Sequence, residues 1–167
     1  MNNFNSKKLI YKYGSITGAF AITFELMRFF LNIHYSNEGL NSIITLTILF
    51  IGILVGCLQI KKLNSGSISL NQTLKSGVGI ALIYTILSLI YTTVLVNILE
   101  PTFWETAAEM SYEAAKAQDP ESMGNLSLED FKPFVMWLSW GVYPISIAFS
   151  LFFGLIFSLV IGIVIKN

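Results

Sequence analysis

Three stretches of this chain contain no charged residue at all: residues 42–60, 78–99 and 135–165. Runs of this length constrain a fold more tightly than any motif. A helix of about 20 apolar residues matches the roughly 30 Å hydrocarbon core of a bilayer. A fourth stretch, 10–31, has the same length but holds Lys12, Glu25 and Arg28. Charged residues make up 12% of the 167 residues and hydrophobic ones 54%, whereas a soluble domain carries about 25% charged residues. The fold expected is all-α: an integral membrane four-helix bundle, a single domain over 1–167. Its spans are read at about 10–31, 42–60, 78–99 and 143–163, with an extracytoplasmic cap at about 100–134 that holds an external amphipathic helix between helices 3 and 4.

The run at 135–165 exceeds one crossing. Pro144 lies inside it, and a proline removes a backbone donor and kinks a helix. Residues 143–163 are therefore read as the span and 134–142 as a surface segment. Trp137, Trp140 and Tyr143 then supply the aromatic belt of a membrane interface. At the other end, Lys7, Lys8 and Ala19-Phe20-Ala21 imitate a cleaved leader, but Lys12 interrupts the apolar region such a leader needs. A retained first helix is expected.

Charge decides the orientation. Lys7, Lys8, Lys12, Lys61, Lys62, Lys75 and Lys166 fall on one side with no acid among them. The other side holds Lys116 and Lys132 against Glu38, Glu100, Glu105, Glu109, Glu113, Asp119, Glu121, Glu129 and Asp130. A formal net charge of zero thus conceals two oppositely charged faces. Because cytoplasmic loops carry the Lys/Arg excess, both termini are expected in the cytoplasm.

Small residues mark the faces where membrane helices meet. Gly14, Gly18, Ala21, Glu25 and Arg28 follow one another at steps of 4, 3, 4 and 3. Gly77, Ala81, Tyr84, Ser88 and Tyr91 repeat those steps 63 residues later, which leaves open an internal duplication. Gly52 and Gly56 form a GxxxG pair. Ser146, Ser150, Gly154, Ser158 and Gly162 recur every four residues, a stripe that drifts by about 40° per step on an ideal helix. Such a stripe needs either a right-handed crossing or two successive partners. Packing within the monomer is favoured over a homo-oligomer contact.

Glu25 and Arg28, three residues apart, can reach each other. Counted from Lys12, Glu25 lies about 20 Å along the helix, in the outer half of the bilayer. Intramembrane ionisable pairs often mark proton relays or solute paths. A transport path also needs polar groups at successive depths, and the second and fourth spans offer Thr45, Thr47, Ser146, Ser150 and Ser158 but no other charge. A structural pair, bonded to Tyr84, Ser88 or Tyr91, is the favoured reading. His34 is read as a wet loop residue.

In the cap, Thr102 with Glu105 fits a capping box. Phe103, Ala107, Met110 and Ala114 form an apolar stripe flanked by Trp104, and Glu105, Glu109 and Glu113 an acidic one. The helix is read as resting at the outer membrane boundary or over the bundle mouth, and as ending at Asp119-Pro120. Ser127 and Asp130 open the next helix, with Leu126 and Phe131 as a hydrophobic staple; Ser69 to Gln72 make a box that opens the third. The acids lack the alternation and glycine turn of a calcium loop. There is no phosphate-binding glycine loop, no zinc cluster and no GxSxG. The single cysteine, Cys57, reads as a small buried residue. No metal, cofactor, nucleic acid or enzymatic activity is expected. The expected partner is the lipid bilayer, with a second copy or another membrane protein as further options.

Lys12-Tyr13-Gly14 with Gly18, Ile68-Ser69-Leu70 running to Lys75-Ser76-Gly77, Tyr91, the segment from Ile98 to Phe103, and Gly154 with Ser158-Leu159 together resemble the domain-of-unknown-function family 4199. The resemblance implies a four-span protein of a bacterial cytoplasmic (inner) membrane. It carries no activity and no site residues. The function expected is that of an accessory or scaffold subunit of a membrane assembly. The alternative is a small proton-coupled transporter or channel built on Glu25 and Arg28.

Overall fold

The computed structural model describes residues 3–35, 38–124 and 126–165; Lys166, counted above with the basic face, lies outside them. In chain order the helices are α1 (Asn3–Phe30), α2 (Glu38–Leu63), α3 (Leu70–Val94), a π-helical turn (Leu95–Leu99), α4 (Phe103–Gln118), α5 (Pro120–Met123), α6 (Leu128–Ser139) and α7 (Val142–Ile165). Local chemistry sets several of their ends. At the start of α3, Ser69 Oγ accepts from the Gln72 amide at 3.3 Å and Gln72 Oε1 accepts from the Ser69 amide at 3.1 Å, so two orphan donors are satisfied reciprocally. At the end of α1, Asn32 adopts φ 56° and the Ile33 amide reaches back to the Arg28 carbonyl at 3.0 Å. This left-handed closure suits asparagine better than most residues.

Among the described residues, three helical stretches are long and apolar enough to cross a membrane: Gly39–Leu63, Leu70–Leu99 and Val142–Ile165. The most apolar window of each is only 28%, 28% and 22% buried within the protein, so most of its hydrocarbon surface needs an apolar medium. These are the surfaces of a membrane protein. The helix α1 is equally long, but Glu25, Arg28 and its glycines and hydroxyls dilute its apolar character, and it is not one of the three.

The chain divides into two compact units. The first comprises Met1–Leu89 and Ser146–Asn167. Its core is Leu49, Ile53, Cys57, Ile80, Ala81, Tyr84 and Ile161, with Ala21 from α1. Glycines let these helices approach so closely that a methyl group has no room. A Cβ on Gly14 would lie 2.7 Å from Ile83, and one on Gly18 2.6 Å from Leu87, which seats α1 on α3. Gly52 abuts Thr17, and Gly56 abuts Ile80 and Tyr13, bringing α2 against α1 and α3. On α7, Gly154 faces Ala81, Ser158 faces Gly77, and Gly162 faces Leu70 and Thr73. The four-residue stripe therefore meets one neighbour, α3, along these three positions. Near the end of α2, Lys61 Nζ donates to the Ile165 carbonyl at 2.7 Å, capping α7 with a cation as helix C-termini favour.

The second unit is Ile90–Ile145. Here α4 packs on α6 through Ala108 and Tyr112, both buried. The Tyr112 hydroxyl donates to the Leu126 carbonyl at 2.9 Å, and its ring lies 5.7 Å from that of Phe131. Lys132 pairs with Glu109 at 3.2 Å and with Glu129 at 3.8 Å. Ser127 and Asp130 form a complete capping box on α6.

Four expectations need correction in detail. Thr102 is the N-cap of α4 but makes no side-chain cap bond: its backbone, at φ −87° and ψ 5°, is not in the extended geometry that aims a capping oxygen. The buried side of α4 is Ala108 and Tyr112 rather than the stripe from Phe103 to Ala114, and Met110 is 46% exposed. Burial there follows α6, a partner that the periodicity of α4 alone does not specify. The break before α7 falls at Trp140 and Gly141, and Pro144 sits in the first turn of α7, where a missing amide hydrogen leaves no gap in the ladder. His34 does lie in the loop beyond α1, but half-buried, its ring 5.4 Å from that of Phe29.

Candidate functional site

Glu25 and Arg28 are one turn apart on α1, on the face that carries Gly14, Gly18 and Ala21. Arg28 is 5% exposed although it is a permanent cation. Burial at that level requires partners in good geometry, and the described residues include three. Nη1 donates to Glu25 Oε2 at 3.1 Å; Nη2 donates to the carbonyls of Ile33 at 3.2 Å and His34 at 3.1 Å. Those carbonyls belong to the turn that leaves α1. The guanidinium thus ties its own helix to the chain just beyond it, an arrangement that a planar fork of donors makes possible and a lysine ammonium could not copy. The left-handed Asn32 brings the two carbonyls within reach.

The Glu25 carboxylate is a quarter exposed. Tyr84 is buried in the core and lines a hollow of about 100 Å³ with Ser42, Thr45, Leu49, Phe149 and Ser150. A second hollow, about 130 Å³, adjoins Arg28; Phe24, Met27, Leu40 and Ile44 give it mainly apolar walls. Asn41 Oδ1 is buried there without a hydrogen-bond partner among the described residues.

Elsewhere several hydroxyls of this unit turn back on their own helices. Thr17 donates to the Tyr13 carbonyl at 2.6 Å, Thr47 to Ile43 at 2.7 Å, Thr85 to Ala81 at 2.7 Å and Ser88 to Tyr84 at 3.0 Å; Ser158 does the same to Gly154. Each bond satisfies a polar atom within one turn and leaves the helix exterior apolar. Cys57 is buried, its Sγ 3.9 Å from the Thr73 carbonyl.

The cap residues are placed differently. Trp104 is half-buried, edge-on to Phe103 at 5.1 Å. Glu105 and Glu113 are exposed, and Glu109 pairs with Lys132. The sequence reading did not single out Tyr112 or the carbonyls of Ile33 and His34. The phenol embedded in a charged helix was a readable signal for the first; nothing in the sequence announced the second.

A family model described as "Protein of unknown function (DUF4199)" matches residues 12–167. The chain belongs to this family. No curated protein and no solved structure matches it.

Proposed function

We propose that this chain is a non-enzymatic, four-span protein of a bacterial cytoplasmic membrane, acting as an accessory or scaffold subunit of a membrane assembly. In this reading α1 makes the fourth crossing, both termini lie in the cytoplasm with the lysines, and α4 to α6 stand on the opposite side. The observation that carries it is the closure of Arg28 on Glu25 and on the carbonyls of Ile33 and His34. A pair so engaged holds a helix end in place, and its groups are spent on that task. The close glycine contacts of α3 with α1 and α7 favour a rigid body over a gated one. Chemical cross-linking in the native membrane, followed by purification, tests the role: one constant membrane-protein partner is the expected outcome, and its consistent absence contradicts the reading.

A second reading, proton-coupled transport, is favoured by one observation: Ser42, Thr45, Tyr84 and Ser150 bring their hydroxyls to the lining of one hollow in the bundle. The two readings separate on Glu25→Gln. A transporter loses proton flux in reconstituted vesicles while remaining folded; a scaffold loses thermal stability and shows no flux to lose.

A further inference from the structure

The seam between α1 and α2 holds two hollows in succession. The first, about 370 Å³, has Ile16 and Phe20 on one wall and Ile51 and Val55 on the other. Its floor is the contact of Thr17 with Gly52, where the absence of a side chain lets α1 and α2 touch. Thr17 turns its hydroxyl onto the Tyr13 carbonyl, so the trough presents hydrocarbon along its length. The second hollow, about 400 Å³, is lined by Lys8, Leu9 and Lys12 of α1 and Leu63 of α2. Tyr13 joins the two: it lines the trough, and Lys12 Nζ lies 5.7 Å from its ring centroid. On α1 the positions 8, 12, 16 and 20 form a single stripe that changes from cationic to apolar.

We propose that this seam is a binding site for an anionic phospholipid, with the phosphate between Lys8 and Lys12 and one acyl chain lying in the trough. Charge complementarity selects the occupant. No aspartate or glutamate occurs in residues 1–24 or 39–99, so the sequence puts no neighbouring carboxylate beside these lysines. Juxtamembrane lysines attract anionic headgroups, each by a substantial factor. Geometry agrees with the charge. From Tyr13 to Phe20 the trough runs about 10 Å along α1, within the roughly 15 Å of hydrocarbon in one leaflet. A free anion would use only the lysines and leave the apolar trough unexplained, and an apolar peptide would leave the lysines unexplained. The site rests on the four-span reading, because it requires α1 to stand in the bilayer with Lys8 and Lys12 at its cytoplasmic edge.

The test is native mass spectrometry of the delipidated protein with equimolar phosphatidylglycerol and phosphatidylcholine. The expected preference for phosphatidylglycerol is about thirtyfold. The double substitution Lys8→Gln/Lys12→Gln should bring the ratio close to one without abolishing lipid binding. Val55→Trp, which fills the trough and changes no charge, should reduce binding of both lipids. A preference that survives the double substitution overturns the proposal, as does lipid binding that ignores Val55→Trp. Stripping of phosphatidylglycerol by inorganic phosphate, but not by chloride of equal ionic strength, would reveal an anion site instead and also overturn it. A nitroxide on Phe20→Cys, in a Cys57→Ala background, separates the two levels in proteoliposomes. A label in hydrocarbon with no lipid preference defeats the lipid site alone; a label in water defeats the span and the site together.

Discussion

The two units of this protein are held together by opposite means. In the bundle formed by α1, α2, most of α3 and most of α7, Thr17, Thr47, Thr85, Ser88 and Ser158 each donate to a carbonyl one turn back. The helices recognise one another by shape: Gly14 against Ile83, Gly18 against Leu87, Gly154 against Ala81. In the second unit the recognition is polar and crosses between elements, with Tyr112 bonded to the Leu126 carbonyl and Lys132 to Glu109. Under the proposed topology, the difference follows from solvent. Lipid gives apolar helices no reason to associate, so close packing of small residues must do it; water allows charge and buried aromatic surface to share the task. Arg28 is the buried exception in the bundle, bonded to Glu25 and to the carbonyls of Ile33 and His34; Lys61, on the Ile165 carbonyl, is a second.

The sharpest way to break this contrast is to open the exception. Arg28→Ala leaves Glu25 without its cation and the turn after α1 without its clasp, and should lower stability by about 3 kcal/mol in detergent unfolding. Glu25→Gln should cost less, because both carbonyl bonds to Arg28 survive. Shape recognition is tested next. Gly77→Leu drives a side chain into Ser158 and Ile53 and should destabilise the bundle by about 2 kcal/mol. Gly39→Ala, with nothing near its Cβ, should be neutral in the same thermal melt. A smaller effect is expected for Tyr112→Phe: about 1 kcal/mol, seen as faster amide exchange around Leu126 and Phe131 with exchange in the bundle unchanged.

The smallest effect is that of pH, and it should touch one unit only. Hydrogen bonds from the Ser127 side chain and backbone hold the Asp130 carboxyl below its ordinary range. Its contribution is therefore complete above the unfolded-state value and is lost as pH falls through the lower folded value. The Glu109 hydrogen bond raises Lys132, so that contribution is complete below the ordinary lysine value and is lost as pH rises through the higher folded one. Between those limits, amide exchange at the start of α6 should be flat after correction for its intrinsic pH dependence. Acid should loosen the cap of α6 first, and strong base the α4–α6 contact.

What the sequence revealed divides along the same line. The boxes at Ser69/Gln72 and Ser127/Asp130 were legible because each is closed by residues three apart. The burial of Gly14, Gly18, Gly77 and Gly154 was legible because small residues at helical spacing have few other uses in an apolar span. The Thr102 box was misleading, since the turn after the π-helical stretch Leu95–Leu99 fixes its backbone and no local pattern encodes that stretch. The buried side of α4 was missed by one residue because α6 decides it. The Arg28 clasp was half legible: the spacing to Glu25 was visible, but the carbonyls of Ile33 and His34 come within reach only through the left-handed turn at Asn32.

The central claim is that α1 crosses the bilayer, with its lysines on the cytoplasmic side. Single cysteines at Ser6, Gly39, Ser65 and Ser111, in a Cys57→Ala background, test it with a membrane-impermeant maleimide on intact spheroplasts. The account predicts labelling at residues 39 and 111, and labelling at 6 and 65 only after permeabilisation. Labelling of residues 6 and 39 from the same side would contradict it.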